Sequence, residues 1–443
     1  MKEFGFQNIL PGVNKVKKQR KVIDQSMNLL ENSNGVYSNP DEKIKEVLST
    51  LYQTYPEKFD TNKKIRIKLS GDGTNVKQMH LLNFTFALPD FKYGQAAKGN
   101  FSLGVSEIIK ESYEELLSCF SELIPILKDI KEFQIDDKIF IIEFYLAGDL
   151  KFLATSMGIN QANSTYACVW CTAHIKDFCF DWSIWDPLFG ARSHEESRIK
   201  IVHKKSLNRL GYISAPIFDF IPFKNVIIDL LHLFLRITDK LTDFILDDIQ
   251  SLDGYQSLYE SLTDPLIQNS KNSYAYIQFL SKDCHIRNCF YLKEKKIVFR
   301  QLRGNEKLVV LDKLNLVELF PSLVDAKSKN DVINDFNLIY LSIRDNMLDA
   351  EEIQILTRQF IHDYTETFMV DSLTPYFHCF ICHLHQFRSI HGDFNLFNMQ
   401  GLEKLNDITS EQVFKSTNLK RKEIGCDSYL HQLMQKRNRM DLE

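Results

Sequence analysis

From Lys64 to Leu69 the chain alternates strictly. Ile65, Ile67 and Leu69 are apolar and Lys64, Arg66 and Lys68 are charged, the pattern of a half-buried strand. This run leads into Ser70-Gly71-Asp72-Gly73, where the two glycines are expected to let the backbone turn sharply at the strand end. Leu81–Leu88 predicts a second strand closed by Pro89-Asp90, and Phe101–Val105 a third. Between Ser112 and Phe133 the period becomes helical, with Leu116, Phe120, Leu123, Leu127 and Ile130 on one face. Ile139–Leu146 is an apolar strand bounded by Gly148, and Leu150–Met157 is a helix stopped by Gly158.

Strand, strand, strand, helix, strand, helix is the order of an RNase H-like α/β core. In that fold the first and fourth strands are neighbours, which would set Asp72 and Asp149 side by side. Two carboxylates so placed repel unless a cation lies between them, so the arrangement points to Mg2+ or Mn2+. Past residue 160 the strand signal fades. Helical patterns follow at Leu230–Leu246, Ser270–Phe279, Leu308–Phe320, Val332–Met347 and Glu351–Met369. The expected organisation is a polar leader over 1–60 with one helix near Ile44–Tyr52, then the α/β core over 61–160. A segment carrying a cysteine pair spans 161–228. A mostly α-helical insertion that ends in a last site-bearing helix spans 229–412, and a polar tail spans 413–443.

At 443 residues the chain is long enough for two or three modules, and 44% apolar with 25% charged residues is ordinary for a globular protein. No apolar stretch approaches the ~18–20 residues of a membrane span. The nearest, Val226 to Ile237, is broken by Asp229, His232 and Arg236. Nine cysteines, two of them in Cys168-Val169-Trp170-Cys171, suggest a reduced intracellular compartment and a zinc site rather than a disulfide framework. The net charge of −4 argues against a strongly nucleic-acid-binding surface overall. Basic residues nevertheless cluster at Lys15-Val16-Lys17-Lys18-Gln19-Arg20-Lys21, Lys420-Arg421-Lys422, His203-Lys204-Lys205 and Lys293-Glu294-Lys295-Lys296. Taken singly, each such run is more often a solvated face.

The chemistry-bearing residues interlock. Asp72 and Asp149 end two core strands. Cys168 and Cys171 form a C-x2-C, His378 and His383 an H-x4-H, and Glu403 follows in a helical stretch. An Asp/Asp/Glu set interleaved with a Cys2His2 set fits a two-metal phosphoryl-transfer site beside a structural zinc. Each residue has a plainer reading. Asp72-Gly73 is also a turn dipeptide. Glu111 is also an acidic residue favoured before a helix. His232 on an amphipathic helix is more often a satisfied core histidine, and Glu403 beside Lys404 a surface pair. The thiols could be simple core residues, or Cys379, Cys382 and His385 could make a local site of their own. His174 and Cys179 follow the first pair as further competitors.

At these residues the chain resembles the catalytic core shared by the V(D)J recombinase catalytic subunit and the Transib-type DNA transposases. The resemblance runs from about Lys64 to Asn406. Matching stretches are Asp72-Gly73, Glu111-Ser112 before Leu116, and Asp149-Leu150-Lys151 at its distance from Cys168 and Cys171. Ile228-Asp229-Leu230-Leu231-His232, Gly304-Asn305, Glu318-Leu319-Phe320-Pro321-Ser322 and Tyr376-Phe377-His378 through His383 to Glu403 follow in order. The resemblance implies a DDE-type polynucleotidyl transferase that hydrolyses a DNA phosphodiester and uses the freed 3′-hydroxyl to attack a second one. Asp72, Asp149 and Glu403 would hold two Mg2+ or Mn2+ ions, with Glu111 and His232 as further site residues. Arg303-Gly304-Asn305 would be a DNA-contacting loop. Cys168, Cys171, His378 and His383 would hold one structural Zn2+, pinning the insertion to the core and keeping Glu403 in register.

The partners implied are duplex DNA, a second copy in a homodimer and an accessory subunit, with no membrane; the location implied is nuclear. The family's end-recognition domains would lie upstream of the core, and 60 residues are too few to hold them. That departure leaves two other classes open: a domesticated, non-catalytic DNA- or protein-binding descendant of a transposase, and a simple RNase H-like nuclease.

Overall fold

The computed structural model describes residues 13–91, 93–178, 191–253, 271–293, 296–370, 372–416 and 428–441. It is a mixed α/β protein that divides into two compact units. The first comprises Met1–Gln161, Arg192–Ile228 and Leu396–Glu443, and the second Ala162–Ala191 and Asp229–Asn395. Residues 192–228 therefore group with the core rather than with the cysteine pair. So does the helix bearing Glu403, which the sequence reading had assigned to the insertion.

The first unit is built on an eight-stranded mixed sheet. Its strands are β1 (Leu29–Glu31), β2 (Gly35–Ser38), β3 (Ile65–Val76), β4 (Met79–Ala87), β5 (Asn100–Ile108), β6 (Glu132–Ile135), β7 (Lys138–Gly148) and β8 (Val226–Ile228). The order is β1-β2-β5-β4-β3-β7-β6, with β8 also paired to β7. β3, β4 and β5 form an antiparallel meander, while β7 runs parallel to β3 and β8 parallel to β7. The adjacency of the first and fourth predicted strands is thus present, as β3 beside β7. The leader is more than polar chain. A helix at Val13–Ser26 precedes β1 and β2, which lengthen the sheet beyond β5, and Pro40–Thr54 is helical. The predicted helix over 112–133 is two helices, Tyr113–Phe120 and Leu123–Asp129, followed by β6.

β3 departs from its predicted half-burial. Ile65, Ile67 and Leu69 are buried as the alternation requires, but Lys68 and Ser70 on the other face are buried as well. A central strand covered on both faces loses its solvent side. The Lys68 ammonium is tolerated there because it donates to the Asn398 carbonyl oxygen at 2.8 Å. The glycines beside Asp72 also differ from expectation. The strand runs straight through Gly71-Asp72-Gly73 to Val76, and neither glycine has a positive φ. They are small because space demands it: a Cβ on Gly71 would fall on the Phe152 ring, and one on Gly73 on the Glu111 carboxylate and His80 ring.

In the second unit, helices Leu230–Leu252, Ala326–Arg344, Ala350–Phe368, Pro375–Cys382 and Leu384–His391 pack around an aromatic core. Phe234 stacks on Tyr340 at 4.0 Å, and Phe360 packs against Phe336, Phe377 and Phe380. A two-stranded hairpin, β9 (Phe290–Lys293) and β10 (Lys296–Phe299), stands in a region whose pattern had predicted helices. Among the described residues no helix is long and apolar enough to cross a membrane. Cys179, Cys426 and Lys420-Arg421-Lys422 lie outside the described residues, as do Glu294 and Lys295.

Candidate metal centre and acidic site

The metal-type cluster lies wholly within the second unit. The ligand atoms of Cys168, Cys171, His378 and His383 all lie within 4.8 Å of one another, and all four residues are buried. Cys168 Sγ is 3.2 Å from His383 Nε2, and Cys171 Sγ is 3.2 Å from His378 Nε2. A buried Cys2His2 set gathered this closely is the donor set of a structural zinc site, in which each ligand stands ~2.0–2.3 Å from the metal.

Local structure explains the placement. The Cys168–Cys171 segment folds back so that the Trp170 backbone N–H donates to Cys168 Sγ at 3.4 Å, as suits a thiolate. His378 projects from the Pro375–Cys382 helix, and His383 is the residue that caps its C-terminus. The His383 ring is held from behind by Gln386, whose Oε1 lies 2.9 Å from Nδ1, leaving Nε2 for the metal side. Phe178 stacks on His378 at 4.1 Å, and Trp170 packs against His383 and Phe387.

The electrostatics of the four divide: burial and Cys168 push the Cys171 thiol well up, and the neighbouring Cys168 and Gln386 outweigh burial to raise His383, while Cys168 and His378 shift toward their ligand forms. Burial by itself would push the Cys168 thiol up, but hydrogen bonds from the Cys171 and Cys379 thiols and the neighbouring His383 and His378 hold it well below the ordinary thiol value. Burial pushes His378 down, toward the neutral form a ligand needs. Burial pushes Cys379 up, and its hydrogen bond to Cys168 adds to that, so it supports the cluster as a thiol donor. Cys382 is likewise pushed up by burial. His174 instead caps the turn Ile175–Asp177, accepting from Lys176 N at 3.1 Å. The expectation that this centre ties the insertion to the core is corrected, because all four residues belong to one unit.

The acidic residues gather in the first unit. The parallel register of β3 and β7 pairs Ser70 with Ala147. Two residues on from this last pair stand Asp72, still within β3, and Asp149, just past the end of β7. Asp149 caps the following helix Leu150–Ser156, with Oδ1 accepting from Phe152 N at 2.7 Å. Glu111 is brought in from the other side. Its carboxylate lies against Gly73 and pairs with Lys151 at 2.5 Å, two residues past Asp149. His80 Nε2 stands 3.9 Å from the same carboxylate.

Glu403 sits in the first turn of the helix Gln400–Ser416, which packs on β3. One turn on, Asn406 donates its side-chain amide to Asp72 Oδ2. The helix start is fixed by Asn398, whose Oδ1 accepts from Gln400 N, whose Nδ2 donates to Gln95, and whose carbonyl receives Lys68. Gly401 permits the close approach, since a Cβ there would meet Asn100 and the Gln95 and Ala96 carbonyls. Asp72, Asp149, Glu111 and Glu403 all belong to the first unit, and carboxylate oxygens are the donors hard divalent cations take. Among the described residues, though, the Cys/His set is the one group of three or more such side chains gathered to hold a metal ion, and Asp72, Asp149 and Glu403 do not form another.

His232 belongs to the second unit. It lies in the first turn of Leu230–Leu252, and its Nδ1 is 2.5 Å from Asp229 Oδ2, the carboxylate that caps the same helix. Arg303 precedes a helix, Gly304–Lys313, with Glu306 accepting from its backbone N–H. Lys151, Asn83 and Asn406 were not singled out from the sequence. Lys151 had a signal, standing two residues after Asp149; the two asparagines had none, being brought together only by folding. No protein-family model and no curated protein sequence matches this chain.

Proposed function

We propose that the protein is a DDE-type polynucleotidyl transferase, a transposase- or recombinase-like enzyme that cleaves duplex DNA on an RNase H-like core. The observation that supports this reading is Asp72 in β3 and Asp149 just past the end of its parallel neighbour β7, with the Glu403 helix tied to Asp72 through Asn406. The order β5-β4-β3-β7-β8, antiparallel then parallel, supports an RNase H-like core.

Asp72 would bridge two sites, Asp149 would complete one and Glu403 the other. Mg2+ or Mn2+ held there would activate a water or 3′-hydroxyl and stabilise the leaving oxygen. Lys151 neutralises Glu111, which lowers the repulsion that a fourth carboxylate would add. The Cys/His centre is assigned to one structural zinc, which would stabilise the helical unit. Duplex DNA is the substrate, a homodimer and an accessory subunit are the expected partners, and the nucleus the expected location.

A second reading, a non-catalytic DNA-binding descendant, is favoured by the acidic triad not forming a metal-holding group among the described residues, as the Cys/His set does. The deciding experiment incubates the chain with duplex DNA with Mg2+, with Mn2+ and with neither, and with and without a target duplex. Metal-dependent nicks that Asp72→Asn abolishes, followed by joining to target, support the transferase. Nicks without joining leave a simple nuclease, and binding without nicks leaves the non-catalytic descendant.

A further inference from the structure

We propose that Asn406 is a positioning residue for Asp72, and that Asn83 sets its orientation. The proposal rests on the reading of Asp72 as a divalent-cation ligand.

Asp72 and Asn83 are direct cross-strand partners in the β3–β4 register, so their side chains share one face of the sheet. Asn406 reaches both from the helix above. Its Oδ1 accepts from Asn83 Nδ2 at 2.5 Å, and its Nδ2 donates to Asp72 Oδ2. Asn83 and Asn406 are both buried, 2% and 5% exposed, whereas Asp72 is part-exposed.

A primary amide has one acceptor end and one donor end. Because Asn83 occupies the acceptor end, the donor end of Asn406 must face Asp72. The amide cannot flip without setting its oxygen against a carboxylate and two amide N–H groups against each other. The relay thus fixes one oxygen of Asp72 with a neutral donor and adds no charge. A charged donor in the same place would lower the cation affinity, and a second carboxylate would raise the proton affinity of the pair. Glu403 precedes Asn406 by one helical turn, so the same clamp also sets the height of Glu403 along β3.

The test uses the full chain and Mn2+ as probe. Direct titration of Mn2+ by electron paramagnetic resonance gives affinity, and the Mg2+ concentration for half-maximal nicking gives a second readout. Groups that orient a metal ligand cost 10–100-fold in metal affinity when removed. Asn406→Ala is therefore expected to weaken Mn2+ binding at least tenfold and to raise the half-saturating Mg2+ by a similar factor, while saturating metal restores most of the nicking rate. Asn406→Asp is expected to move the acid limb of the pH–rate profile upward. Asn83→Ala, which changes no residue of the Glu403 helix, should give a smaller loss in the same direction, and it carries the test if the Asn406 variants fail to fold. A purely structural clamp would lower the unfolding midpoint without moving the metal dependence, and that result overturns the proposal. If the wild-type chain binds no Mn2+, or Asp72→Asn binds as well as wild type, the transferase reading itself falls and the proposal with it. Wild-type binding that Asp72→Asn abolishes and neither asparagine variant weakens overturns the proposal alone.

Discussion

Lys68 and Asn398 stand 330 residues apart in the chain, and their side-chain-to-carbonyl hydrogen bond of 2.8 Å joins the middle of β3 to the start of the Glu403 helix. Lys68 is fully buried, so its ammonium is costly there without partners. Replacing it with methionine keeps the aliphatic volume but leaves the Asn398 carbonyl without this donor. The expected loss is about 1–3 kcal/mol, the cost of an unsatisfied buried polar group. The urea midpoint should fall with the slope unchanged; an unaltered midpoint would show that this tie is energetically idle.

Asp149 has two jobs that one pair of variants separates. It caps the helix Leu150–Ser156 and, on the reading above, binds a divalent cation. Asparagine caps a helix about as well as aspartate, whereas alanine costs ~1 kcal/mol. Asp149→Asn should therefore keep wild-type thermal stability and lose metal-dependent nicking. Asp149→Ala should lose both. An Asp149→Asn chain that still nicks DNA at the wild-type rate would remove Asp149 from the chemistry.

The two strands that bear Asp72 and lead to Asp149 are legible in the sequence. Strict alternation over Lys64–Leu69 and the apolar run before Gly148 marked β3 and β7, because a strand's period of two is visible in six residues. The short strands were not readable. β8 is three buried residues, Val226–Ile228, and such a run has no period to distinguish it from the helix that follows. β1 and β2 are three and four residues long and hid in the polar leader. Lys68 fell on the polar side of the alternation, and only the tertiary fold covers that side. The asparagine relay spans more than 300 residues of chain, so no local pattern carries it. The glycines around Asp72 were seen but misread as a turn, because composition does not tell conformational freedom from lack of space.

The helix Val13–Ser26 carries exposed Lys15, Lys18 and Arg20. If it contacts DNA phosphates, each neutralised contact contributes about 0.9 to the slope of log affinity against log salt. Replacing these three with glutamine should reduce the slope by up to ~3 and weaken binding evenly across sequences. An unchanged slope would make this helix a solvated face.

His385 offers a pH test in the helical unit. Burial, with His383 and Arg358 nearby, pushes it down to about 4 from the usual 6.5. The folded state therefore holds it neutral while the unfolded chain takes up a proton below pH 6.5. By linkage this histidine costs stability as pH falls from 6.5 toward 4, and costs nothing above that window. His385→Gln should lose less of its melting temperature between pH 7 and pH 5 than wild type does. Parallel losses in the two chains would contradict a buried, neutral His385.

The Cys/His centre makes the sharpest prediction about composition. Elemental analysis of the purified chain should find about one zinc per chain. Cys168→Ser should abolish it, since Cys168 faces His383 at 3.2 Å and is the thiol most shifted toward thiolate. Cys284, which burial pushes up to about 11, is a buried thiol outside the cluster, so Cys284→Ala should keep the zinc. Structural zinc contributes on the order of 10 kcal/mol in small peptides at neutral pH, so metal loss should loosen the helical unit that holds all four ligands. The sheet-bearing unit carries its own ties to the Glu403 helix, through Lys68, Asn83 and Asn406. Chelation should therefore raise amide hydrogen exchange first in Pro375–Cys382 and Leu384–His391, and leave β3 and β7 protected. Simultaneous loss of protection in β3 would show that the two units unfold together and that the zinc supports the acidic site after all.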